Sequence, residues 1–165
     1  MKIGLSVLAL SLLGISHASC AGCPSVEGTW SFEGSEAPFY IVNNADGEAS
    51  QVWLPHENNE YKIFPVISLT REEREKEHID DCATLIQQVG ILTKSNKGDK
   101  MNVMTQSQEF TTRQTINTDY IIMIFAGFGY NFVGVTKIND QLPTALKDGT
   151  MPLVENDRNA QNYQQ

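Results

Sequence analysis

The chain has 165 residues, with 20 acidic and 12 basic side chains and a formal net charge of −8. That balance excludes nucleic acid as a partner, because neutralising phosphates takes a basic face. Beyond residue 15 no apolar run approaches the roughly 20 residues of a membrane helix, which excludes a transmembrane span.

Met1 and Lys2 lead into an uncharged, largely apolar run from Ile3 to Ile15, followed by Ser16-His17-Ala18. One positive charge, a short apolar core and a small-x-small site make a secretory signal peptide over 1–18, with a cut at 20 as the alternative. Cleavage leaves about 145 residues, enough for one domain with one core, and loss of Lys2 brings the net charge to about −9. The expected location is extracellular.

Export permits disulfides, and of Cys20, Cys23 and Cys82 a Cys23–Cys82 bond would tie the N-terminal arm to the body of the domain. The fate of Cys20 follows the cut. Cleavage after Ala18 keeps it as an odd thiol, and cleavage before it would allow acylation and a place in the periplasm or at a membrane surface. His17-Ala18-Ser19 fits a lipobox poorly, and no Asn-x-Ser/Thr sequon occurs.

Val26 to Phe32 alternates as a strand, with Trp30 and Phe32 on one face. Short β-like runs follow at Phe39–Val42, Gln51–Leu54 and Tyr61–Ile67, the last carrying Pro65, a mark of an edge or a bulge. Thr70-Arg71-Glu72-Glu73 reads as a capping box. Ile79, Cys82, Leu85, Ile86 and Val89 then recur at spacings of three and four, which predicts an amphipathic helix over about 71–88 with a charged outer face. Ile91–Lys94 and Met101–Thr105, joined by Asn96-Lys97-Gly98-Asp99, read as a hairpin. Strands over Phe110–Asn117, Tyr120–Ala126 and Tyr130–Ile138 keep the rhythm of an antiparallel meander. A short helix is expected after Pro143, and the polar tail 154–165 is expected to be disordered.

Gly28-Thr29-Trp30 at the first strand, Thr118-Asp119-Tyr120 some ninety residues later, and Val133 to Lys137 leading into Leu142-Pro143 together resemble the lipocalin (calycin) family. The resemblance implies a mainly β fold: a single antiparallel up-and-down eight-stranded barrel over 26–150, with a cavity for a small apolar ligand. In the family an Arg packs over the Trp of the first strand. Here Lys137 takes that place, able to make a cation–π contact with Trp30 but not to stack as a guanidinium does, which marks an outlying member. Both residues are assigned to structure. A β-sandwich is the alternative architecture.

Tyr120–Ala126 is apolar on both faces, so neither face can meet water. The family phasing turns Tyr120, Ile122, Ile124 and Ala126 inward and leaves Ile121, Met123 and Phe125 for an external cover, expected from the helix at 71–88. On the same phasing Val133 and Val135 join the cavity wall, with Trp53, Phe64 and Met104 as further candidates. Counting back from the Thr118 turn places Arg113 inside, where a buried guanidinium would need an anionic partner such as a fatty-acid carboxylate.

Catalytic equipment is sparse. His56 and His78 have no metal-ligand spacing, Cys20-Ala21-Gly22-Cys23 is not set between a strand and a helix, and no phosphate loop occurs, so no metal, cofactor or catalytic residue is expected. The expected function is transport of a small hydrophobic ligand, a fatty acid or similar lipid. The alternatives are a secreted or lipid-anchored interaction module (inhibitor, adhesin or envelope lipoprotein) with a filled barrel, and an isomerase- or epoxidase-type enzyme using Cys82 as a free thiol.

Overall fold

A computed structural model describes residues 22–76, 78–104, 111–126 and 129–154, without the side chains of 103–104, 111–112, 125–126 and 129–130. The expected signal peptide over 1–18 and, from 155 onward, the expected disordered tail 154–165 lie outside the described residues.

Among the described residues ten strands run in chain order: β1 (Gly28–Phe32), β2 (Pro38–Asn43), β3 (Ala49–Pro55), β4 (Tyr61–Ile67), β5 (Thr84–Ile86), β6 (Gly90–Lys94), β7 (Lys100–Met104), β8 (Thr111–Thr115), β9 (Tyr120–Ala126) and β10 (Gly129–Asn139). Eight of them close a barrel in the order β1-β10-β9-β6-β5-β4-β3-β2, every pair antiparallel, while β7 and β8 form a separate two-stranded ribbon. This is the closed eight-stranded barrel that the lipocalin resemblance implies. Because neighbours alternate in direction, the connections β1–β2, β3–β4, β5–β6 and β9–β10 gather at one end of the barrel. The N-terminal arm and the remaining connections gather at the other.

Gly28 opens β1 at φ +134°, and a Cβ there would run into the Asn139 carbonyl oxygen. The glycine of the Gly-x-Trp signature is therefore set by the close approach of β10. In-register pairs Trp30–Phe39, Ile41–Val52, Val52–Phe64 and Ile122–Val133 turn their side chains inward, building one core of Trp30, Phe39, Ile41, Val52, Ile86, Leu92, Ile122 and Val135, each at most 1% exposed. The alternate residues form a second cluster on the outer wall. Tyr40 and Trp53 pack there with Leu153, flanked by Leu142, Leu146 and Met151 of the C-terminal segment. That segment contains a single-turn helix, α2 (Thr144–Lys147), and ends in a parallel bridge between Leu153 and Tyr61.

Two elements differ from expectation. The helix over 71–88 stops after six residues, as α1 (Arg71–Lys76), and buries none of its side chains. The Thr70–Glu73 capping box is present, but His78 takes a left-handed φ of +54° just beyond the helix. Arg74 then donates to the carbonyls of Asp80 and Ala83, and the chain returns as β5 to bridge β4 and β6. Likewise β6 does not pair with β7. The turn at 96–99 instead leads out of the barrel into the ribbon, whose two ends are clasped by a bond from the Ser95 amide to the Asp119 carbonyl (2.9 Å). Pro65 sits where pairing to β5 runs out: β5 meets β4 only at Val66 and Ile67, and the Pro65 carbonyl accepts from Gln87.

Candidate functional site

The N-terminal arm closes one end of the barrel. Cys23 is bonded to Cys82 of the α1–β5 connection, Trp30 Nε1 donates to the Val26 carbonyl (2.8 Å), and Lys137 Nζ donates to the Ser25 carbonyl (2.9 Å). Lys137 lies 6.0 Å from the Trp30 ring centroid and pairs with Asp140 at 2.5 Å. Aromatic rings fill the level above: Tyr120 meets Trp30 edge-on at 5.1 Å, and Phe39 stacks on Phe32 at 4.6 Å. Burial, with the Asp119 charge adding to it, raises the Tyr120 phenol above its ordinary pKa, so it stays neutral across the physiological range.

Of the residues that the sequence assigned to a ligand site, Tyr120, Ile122, Val133 and Val135 come together inside the barrel, Ile122 and Val135 within the buried core and Tyr120 and Val133 packed against it. Ile124, one turn of the pleat further along β9, reaches the other end and is 38% exposed. Three assignments fall elsewhere. Trp53 belongs to the outer wall, because it pairs in register with Tyr40 and Ile63 and is covered by the C-terminal segment; its indole donates to Gln51 (3.2 Å). Arg113 is exposed on the ribbon opposite Asn102, so the Thr118 turn does not carry the barrel's phase back into β8. Met104 pairs with Thr111 in the same ribbon, outside the barrel wall, and its side chain lies outside the described residues.

The helix expected to cover the outer face of β9 does not do so. Ile121 is 1% exposed, yet α1 buries nothing; β7 of the ribbon lies beside β10, the neighbour of β9. Cys82, the candidate thiol nucleophile, is held in the disulfide.

At the end opposite the arm, Ile67, Leu85, Ile86, Val89 and Ile124 line an open groove of about 240 Å³. Gln87, Gln88 and Gly90 complete its lining. The β5–β6 turn that builds it is tightly specified. Gly90 has φ +152° and a Cβ there would strike the Met123 carbonyl, Val89 N–H donates to Ile86 (3.1 Å), and Gln88 holds a left-handed φ of +62°. Ile67 (39%) and Ile124 (38%) are two of the three large apolar side chains left exposed among the described residues, and they share this groove. Sequence reasoning missed all of it but Ile124, because Leu85, Ile86 and Val89 also fit a helical stripe.

A second depression, between Thr29, Tyr40 and the Asn139–Pro143 connection, is wider open and more polar. Among the described residues no cluster of His, Cys and carboxylates has the geometry of a metal site. Comparison of the chain with protein-family models, with curated proteins and with solved structures gives no match.

Proposed function

We propose that the protein is an exported carrier that holds a small hydrophobic molecule at the open end of its barrel. The observation that carries this reading is the sharing of one groove by Ile67 and Ile124, two of only three large apolar side chains left exposed among the described residues. Solvent contact at such side chains costs free energy that a bound apolar group recovers, at roughly 25 cal/mol per Å² covered. A closed barrel with one plugged end and an apolar groove beside the β5–β6 turn at the other suits that role. The Cys23–Cys82 bond fits an oxidising compartment, in keeping with the signal at 1–18.

The test is fluorescence of a neutral apolar probe, N-phenyl-1-naphthylamine, titrated with the purified protein. Enhancement in the wild type and its loss in Ile124→Asp support the reading; no enhancement in the wild type rejects it. One observation favours a different role. Between Trp30 and Val135 the interior is packed with side chains, as in a barrel that serves as a rigid interaction module. For such a module Ile124→Asp would leave probe fluorescence unchanged.

A further inference from the structure

We infer that the molecule held in the groove is an uncharged amphiphile, a short apolar chain bearing a hydrogen-bonding but non-ionic head such as an alcohol or primary amide. The inference rests on the groove being the ligand site and goes on to name the ligand's chemistry.

The residues lining the groove carry no formal charge: five aliphatic side chains, one glycine and the amides of Gln87 and Gln88. A carboxylate or ammonium drawn into such a place would lose water with no opposite charge to replace it. Arg113, the cation that the sequence reading offered to a fatty-acid headgroup, stands exposed on the ribbon outside the barrel. An anion would also approach a chain of net charge −8.

The amides, by contrast, both donate and accept, and so satisfy a hydroxyl or an amide in either sense. The main chain that carries them is fixed. Gln87 N–H donates to the Pro65 carbonyl at 3.0 Å, and Gln88 keeps its left-handed conformation where a glycine would relieve it. Backbone strain of this kind tends to persist where a side chain must be presented. The groove, about 240 Å³ and open on one side, admits a short apolar chain.

The experiment is displacement of N-phenyl-1-naphthylamine at pH 7.4 by 1-octanol, octanamide, octanoate and octylammonium, on the wild type and on Gln88→Lys. Octanol and octanamide should displace the probe at concentrations at least ten-fold lower than either ion. Because octanoate partitions less readily into any apolar site, the variant supplies the decisive comparison. Gln88→Lys should strengthen octanoate relative to octanol by ten-fold or more, showing that the head lies at the amides. Octanoate matching octanol on the wild type, or an unchanged octanoate-to-octanol ratio in Gln88→Lys, overturns the ligand class and leaves the groove as a binding site. Failure of the probe itself to bind overturns both.

Discussion

Lys137 holds its ammonium 6.0 Å from the Trp30 ring centroid while donating to the Ser25 carbonyl, so one side chain joins the last barrel strand, the first strand and the N-terminal arm. Lys137→Met keeps the apolar stem and removes the charge. It should cost about 1–2 kcal/mol in urea unfolding, the sum of a partly desolvated cation–π contact and a charge-assisted hydrogen bond. Asp140→Asn should cost no more than a few tenths of a kcal/mol, since the Asp140 side chain is 87% exposed.

The Cys23–Cys82 bond closes a loop with a sequence separation of 59. On the chain-entropy account its removal in Cys23→Ser/Cys82→Ser should destabilise the fold by about 4 kcal/mol. The same loss should appear when wild-type protein is unfolded in urea with a reductant, and the double variant should be indifferent to that reductant.

Leu153 is 4% exposed against Tyr40 and Trp53 on the outer wall, far in function from the groove. Leu153→Ala should therefore lower stability by about 2–4 kcal/mol, through lost burial and the cavity left behind. Probe affinity at the open end should stay within two-fold of the wild type. A loss of binding that tracked the loss of stability would mean that the outer wall and the groove are coupled.

Glu73 accepts from both the Thr70 amide and the Thr70 hydroxyl, at 2.8 Å each, and these bonds hold its carboxyl below the usual glutamate pKa of 4.5. A depressed folded pKa stabilises the cap above the ordinary value and ceases to do so as the pH falls through the lowered one. The Glu73 side-chain carboxyl resonance should accordingly titrate below ordinary glutamates, and Thr70→Ala should return it toward them. Because α1 buries nothing, the global unfolding midpoint should barely move with either change.

Where local pattern and tertiary demand agree, the sequence was readable. Alternation marked β1, short apolar runs and their even spacing marked β4, β9 and β10, and the Trp30–Lys137 pairing followed from the family likeness. It failed where one pattern serves two structures. Leu85, Ile86 and Val89 satisfy a helical spacing, yet closing the barrel between β4 and β6 requires a strand there, and the requirement comes from residues distant in the chain. The turn at Asn96–Asp99 is real, but a turn does not say which strand its chain will meet; Gly98 and Asp99 bond Ile116 and so serve the ribbon. Trp53 shows the cost of choosing a face by residue type. An aromatic suits a cavity wall and an outer cluster equally, and only the register with Tyr40 separates the two. The groove escaped notice because its walls come from β4, the β5–β6 turn and β9, no two of them readable together before the barrel closes.

The anchored arm fixes an orientation. Residues 23–27 are fastened at the end of the barrel opposite Gln87–Gly90, through Cys82, Trp30 and Lys137. A surface, bead or bilayer attached ahead of Gly22 consequently meets the plugged end, and the groove looks away from it into the surrounding fluid. Immobilisation through the N-terminus thus leaves the mouth accessible, whereas a fusion built onto the β5–β6 turn would cover it.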